Sequence, residues 1–164
     1  MPIPTLLPLA EKVLDACRAK DLMVATAESC TGGLVAELLT SIAGSSHVVD
    51  RGFVTYTNQA KTDLVGVPTD LFPKVGAVSE DVARAMAEGA IARSLAQIGV
   101  GITGIAGPGG DTADKPVGLV HIAVARKGKT TRHERHVFPG DRQAVRQASA
   151  QRALEMILDI ADQP

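Results

Sequence analysis

The sequence predicts an α/β domain built on a mixed sheet with helices on both faces. Three observations point there. Short β-branched runs alternate with helical stretches through the first hundred residues, the pattern of strands joined by helical crossovers. Two further strands then follow across a Lys-Gly turn, which adds an antiparallel hairpin. Apolar residues make up 45% of the chain but aromatics only 2%, so the core is small and aliphatic, suited to close helix–sheet packing. At 164 residues the chain is long enough for one domain with a proper core, read as residues 1–164.

Leu6, Leu9, Val13, Leu14 and Cys17 recur at helical spacing and predict a helix over 6–19. Leu22–Ala27 reads as a buried strand and Leu34–Ile42 as a helix, with the turn TAESCTGG (26–33) joining them. Gly44-Ser45-Ser46 is a break. Val48–Thr57 has the content of a strand, and Asn58 is placed to cap a short helix over 59–64. Pro68–Pro73 is irregular or a single turn. Ser79 starts a helix whose Val82, Met86, Ala90 and Leu95 line one face through Ala96. Gly99–Thr103 is a buried strand, and Gly104–Lys115 a glycine-rich loop. Val117–Ala125 and Thr130–Phe138 form the hairpin across Lys127-Gly128. Asp141 caps the last helix, Arg142–Ala161.

Composition excludes several classes. A net charge of −1 and a pI of 6.4 leave no basic excess for nucleic acid or an anionic membrane. No apolar run is long enough to span a bilayer. The N-terminus MPIPTLLPLAEK lacks the basic n-region of a signal peptide. Two cysteines, Cys17 on the first helix and Cys30 in the turn, fit a reducing cytosol better than a disulfide framework. The expectation is a cytoplasmic protein without nucleic-acid or membrane partners. No repeat, linker or low-complexity segment interrupts it.

Chemistry concentrates in the turn. A strand-to-helix turn pushes a side chain out at the end of a sheet and aims free helix N–H groups at whatever binds there. Ser29 and Cys30 are both candidate nucleophiles, and Thr31-Gly32-Gly33 offers an anion-binding N-terminus. The alternative is that Glu28, Ser29 and Thr31 simply cap the helix. Gly99–Gly104 spells G-x-G-x-x-G, but it lies within a strand and no helix follows, so it is not a dinucleotide fingerprint. The Gly104–Gly110 loop lacks the G-K-[ST] ending of a P-loop. His133 and His136 stand at odd separation on a strand and point to opposite faces; His47 and His121 have no ligand partner nearby in sequence. No metal site is expected. Strand ends at 27 and 57 bring Ser29, Tyr56 and Lys61 within reach of one another. A lysine deprotonated by burial serves as a base, and a tyrosine relays a proton. Otherwise Lys61 is a solvated helix lysine and Tyr56 a packed aromatic. On the last helix, Ala153, Met156, Ile157 and Ile160 define the buried stripe. Arg142 and Arg146 fall on that same stripe at the helix start. They either grip an anion such as phosphate or carboxylate, snorkel to solvent, or pair with Asp141.

Six motifs, TAESCTGG, RGFVTYTNQAK, GAVSE, GITGIAGPGG, KPVGLV and FPGDR, stand in order across residues 26–142. In this the chain resembles the C-terminal domain of the competence-damage-inducible protein CinA family. The resemblance implies a three-layer α/β/α fold. It also implies a nicotinamide-nucleotide amidase, a hydrolase that recycles pyridine nucleotides by converting nicotinamide mononucleotide to nicotinate mononucleotide and ammonia. In family terms Ser29 is the nucleophile, with Tyr56 and Lys61 its activating partners. Cys30, Thr31, Gly32 and Gly33 would surround the oxyanion. Thr103, Gly104, Gly107, Arg142 and Arg146 would hold the nucleotide. No metal or organic cofactor is implied. A homo-oligomer, with a dimer favoured, is expected from the size and class of the domain. Two other classes stay open: a Cys30-dependent hydrolase, and a non-catalytic nucleotide-binding or regulatory module.

Overall fold

The structure, a computed structural model, describes residues 3–164; Met1 and Pro2 of the N-terminal segment read above lie outside the described residues. Helix α1 (Leu7–Ala19) buries Ala10, Val13, Leu14 and Cys17; of the stripe read from the sequence, Leu6 is buried just ahead of the helix and Leu9 only partly. Strand β1 (Val24–Glu28) is buried throughout because it sits between two parallel neighbours, β2 (Val49–Val54) and β3 (Ile98–Gly104). Strand β4 (Leu119–Arg126) runs antiparallel to β3, and β5 (Arg132–Val137) antiparallel to β4. The sheet order is β2-β1-β3-β4-β5, a mixed sheet as the sequence predicts.

Helices cover both faces. On one face α1 packs with α2 (Leu34–Thr40) and α6 (Arg142–Asp162). Their aliphatic side chains close the larger core over Val24, Ile98, Ile102 and Ile122. Ala153, Met156, Ile157 and Ile160 of α6 are all buried there. On the other face lie α3 (Asn58–Val65), the short α4 (Leu71–Val75) and α5 (Glu80–Ala92). Here Gly99 and Gly101 of β3 meet α5 closely. A Cβ on either would collide with the Ala87 and Ala83 carbonyls, so the G-x-G pattern serves helix–strand contact.

Several boundaries differ from the sequence reading. Helix α5 stops at Ala92, and Leu95, read as part of its buried face, is 67% exposed. The Asp50 carboxylate accepts the Leu95 N–H (2.8 Å), and that bond draws the chain out of the helical path towards β3. Strand β2 ends at Val54, so Tyr56 lies beyond the ladder. The N-cap of α3 is Thr57, whose Oγ1 accepts the Ala60 N–H (3.0 Å), in place of Asn58.

On the outer hairpin, Glu134 ties β5 to α6. Its carboxylate accepts two N–H groups of Arg152 (2.7 Å each), one of Arg132 (3.1 Å) and an interaction with His136 (2.9 Å). The Arg152 fork leads in holding the Glu134 carboxyl down at about 2. A depressed carboxyl stabilises the fold above its unfolded pKa near 4.5, and that contribution is lost as pH falls towards about 2. With the side chain 21% exposed, Glu134→Gln should cost about 1–2 kcal/mol at pH 7, or about 3–6 °C in Tm. The difference between the two proteins should vanish in melts taken near pH 2; a constant difference would show that the ion cluster is not its source.

Candidate active site

Ser29 closes the C-terminal end of β1. Its N–H still donates to the Ile102 carbonyl (3.0 Å), so the sheet fixes its backbone; the chain then turns, with Gly32 N–H donating to Ser29 O (3.0 Å). Gly32 (φ 60°) and Gly33 (φ 105°) take left-handed conformations that a side chain would strain, which is why two glycines end the motif. Glu28, 1% exposed, points to the opposite face. Its carboxylate accepts the Thr31 hydroxyl (2.7 Å) and the N–H groups of Val35 (2.9 Å) and Ala36 (3.0 Å). Capping and nucleophile presentation are therefore divided between adjacent residues, Glu28 capping α2 while Ser29 faces α3.

Lys61 comes from the first turn of α3. It is 2% exposed, and its Nζ lies 3.0 Å from Ser29 Oγ and donates to the Thr55 carbonyl (2.9 Å). No carboxylate is ion-paired with it among the described residues. Burial penalises its charged form and brings it down to about 8. A neutral lysine beside a serine hydroxyl is a nucleophile–base pair. Cys30 is 5% exposed, and burial pushes its thiol up to about 12, so it is held as an unreactive thiol.

Tyr56 does not join this pair. Its ring is 57% exposed, and its hydroxyl accepts from Arg142 Nη2 (2.7 Å). No hydrogen bond links it to Ser29 or Lys61, so the relay read for it from the sequence has no contact to run through here. Arg142 Nη1 also donates to the Gly107 carbonyl (2.9 Å). Both its acceptors are neutral, and no carboxylate pairs with it among the described residues. The Asp141 pairing considered above does not form; Asp141 caps α6 through Ala144 N–H (2.9 Å). An open cleft of about 400 Å³ is lined by Val78, Arg142 and the 104–110 loop, including Gly104 and Gly107. Thr103 is 1% exposed at the end of β3, and its hydroxyl donates to Ala77 O (2.9 Å), so it holds the 77–78 segment against the sheet.

Arg146 neither snorkels nor lines the cleft. Its Nε donates to Cys30 O (3.1 Å) and its Nη2 to Thr31 O (2.9 Å). The sequence offered no sign of two other participants, the Thr55 carbonyl and Val78. Away from the cleft, His121 Nδ1 and His133 Nε2 meet at 2.8 Å, a pairing hidden from the sequence by the register of β4 against β5. No group of three or more His, Cys, Asp or Glu side chains is placed to hold a metal among the described residues.

The sequence profile of the CinA C-terminal domain matches residues 6–161. The chain belongs to the CinA C-terminal domain family. It is 51% identical over 140 residues to a CinA-like protein of Akkermansia muciniphila, a match covering 85% of this chain and 34% of that protein. It is 52% identical over 149 residues to a CinA-like protein of Anaeromyxobacter dehalogenans, covering 91% and 36%. The chain thus spans about a third of the length of these relatives. Among solved structures, competence/damage inducible protein CihA of Agrobacterium tumefaciens superposes with a TM-score of 0.93 at 50% identity, over 96% of each chain. A CinA-superfamily protein of Escherichia coli gives 0.89 at 36% identity, over 93% of this chain and 88% of that one. No helix among the described residues is long and apolar enough to cross a membrane.

Proposed function

We propose that this CinA-family chain is a serine amidohydrolase that converts nicotinamide mononucleotide to nicotinate mononucleotide and ammonia. The observation that carries the reading is the buried contact of Lys61 Nζ with Ser29 Oγ at 3.0 Å, with the lysine brought down to about 8. Neutral Lys61 takes the Ser29 proton as Oγ attacks the carboxamide carbon. The N–H groups of Cys30 and Thr31, in the turn between β1 and α2, would serve as donors to the developing oxyanion. Lys61 returns its proton to the leaving nitrogen and ammonia departs. Water then attacks the nicotinoyl ester, with Lys61 again as the base, releasing the carboxylate and restoring the serine. Protein groups supply each of these steps.

The nucleotide would occupy the cleft lined by Arg142 and the 104–110 loop, whose Gly104 backbone comes up against Cys30 of the nucleophile turn. Arg142 holds a positive charge there on neutral acceptors only, and a phosphate would replace the Gly107 carbonyl and the Tyr56 hydroxyl as a charge-matched partner. Tyr56 accordingly acts at the phosphate end. Arg142→Ala should raise KM by about 10–100-fold while kcat changes by less than about threefold, the signature of an interaction made equally in ground and transition states. A pure loss of kcat would refute the phosphate role.

The test of the reaction is ammonia release from nicotinamide mononucleotide by the purified protein, with nicotinate mononucleotide appearing in equal amount. Chelator is present throughout. Absence of release under these conditions would overturn the assignment.

A further inference from the structure

We propose that Arg146 is a positioning residue for the oxyanion donors, not a phosphate ligand. The inference rests on the reading of Ser29 as nucleophile but not on the identity of the amide. In a trans peptide the carbonyl of one residue and the N–H of the next point in opposite directions. Arg146 Nε grips the Cys30 carbonyl (3.1 Å), so the Thr31 N–H is turned away from the guanidinium. Arg146 Nη2 grips the Thr31 carbonyl (2.9 Å), which fixes the next peptide plane and aims the Gly32 N–H at Ser29 O (3.0 Å). Two successive peptide planes of the nucleophile turn are thus locked from α6, while Glu28 locks the other flank through Thr31 Oγ1 and the start of α2.

The guanidinium adds more than geometry. A positive charge on a carbonyl oxygen polarises the amide and makes its N–H a stronger donor. The contact also uses the shape of the turn: a Cβ on Gly32 would stand 3.6 Å from Arg146 Nη2, so the guanidinium lies directly against the glycine backbone. Arg146 lies one helical turn beyond Arg142 and is absent from the cleft wall that Arg142 lines. The two arginines therefore divide the work, one on the ligand and one on the catalytic backbone.

The test compares wild type, Arg146→Met and Arg146→Lys by steady-state kinetics, by the rate at which a fluorophosphonate labels Ser29, and by thermal melting. A fluorophosphonate reports the serine and its oxyanion donors without needing the nucleotide. Arg146→Met should lower kcat about 10²-fold with KM within about threefold, and labelling should slow in parallel. Arg146→Lys keeps the charge but loses the fork, and should recover part of both rates. It also serves as the decisive variant if the methionine protein does not fold. A raised KM with kcat retained would overturn the proposal in favour of phosphate binding, and so would unchanged labelling in a folded variant. A wild type that labels at Ser29 but releases no ammonia would sink the substrate assignment and leave the labelling comparison to judge Arg146. No labelling of wild-type Ser29 would sink both.

Discussion

Ser29→Ala is expected to reduce ammonia release from nicotinamide mononucleotide by at least about 10⁴-fold while leaving nucleotide affinity within a few-fold of wild type. The two halves of that result come from different parts of the site. The hydroxyl is the atom that attacks, and nothing nearby replaces it. Cys30, the adjacent residue, is buried and held up at about 12, so at neutral pH it supplies almost no thiolate. Binding depends on the 104–110 loop and Arg142, which the substitution does not touch. Nor should the fold suffer, because Lys61 keeps its bond to the Thr55 carbonyl when Ser29 Oγ is removed. Kinetics, equilibrium binding and a melt on the same preparation check all three. Near-normal turnover would transfer the nucleophile to Cys30 or elsewhere. Loss of binding together with turnover would make Ser29 a structural residue.

What the sequence made legible follows a physical line. Helices α1 and α6 are readable because each keeps a helical periodicity, and β1 because it is a short apolar run bounded by turns; both signals are local. Leu95 lies five residues beyond Ala90, about 140° off that face at ~100° per residue, and the chain has already left the helix. What takes it out is the Asp50 carboxylate, 45 positions away in sequence. The site divides the same way. Ser29 and Lys61 are 32 positions apart, but Ser29 follows β1 and Lys61 lies on α3, the helix that follows the parallel neighbour β2, so the pairing of β1 with β2 brings them together. Arg146 carries a charge on a core-facing stripe, which demands a partner. That the partner is a pair of backbone carbonyls, 116 and 115 residues back, is a matter of how α6 leans on the β1 turn. Tyr56 lies near Lys61 in sequence, but its hydroxyl meets Arg142, 86 residues on. The His121–His133 contact needed the β4–β5 register, which no turn motif fixed in advance.

Lys61 sets the pH dependence. The base must be neutral to take the Ser29 proton, and burial places its titration at about 8. Turnover should therefore rise with pH, reach half its plateau near pH 8, and fall about tenfold per unit well below it. The substrate phosphate ionises near pH 6, below this window, so the two titrations separate. Lys61→Arg, charged at every working pH and differently shaped, should be inactive throughout, as should Lys61→Met. Stability moves in the corresponding sense. An unfolded lysine near 10.5 binds its proton more readily than the buried one, so stability rises between about pH 8 and 10.5 and carries the full penalty below about 8. That penalty is about 3 kcal/mol. Lys61→Met removes it at pH 7 but leaves the buried Thr55 carbonyl without its donor, which costs about 1–3 kcal/mol. The opposing terms should hold the melting temperature within a few degrees while turnover disappears, which separates a lost base from a lost fold. A pH–rate profile flat from 6 to 9 would show that no base titrates near 8. An active Lys61→Met protein would show that the base is not Lys61. A matched profile and an inactive but folded variant would make the buried lysine the feature the site is built to keep: its burial, which weakens the fold, is what makes the amine a base.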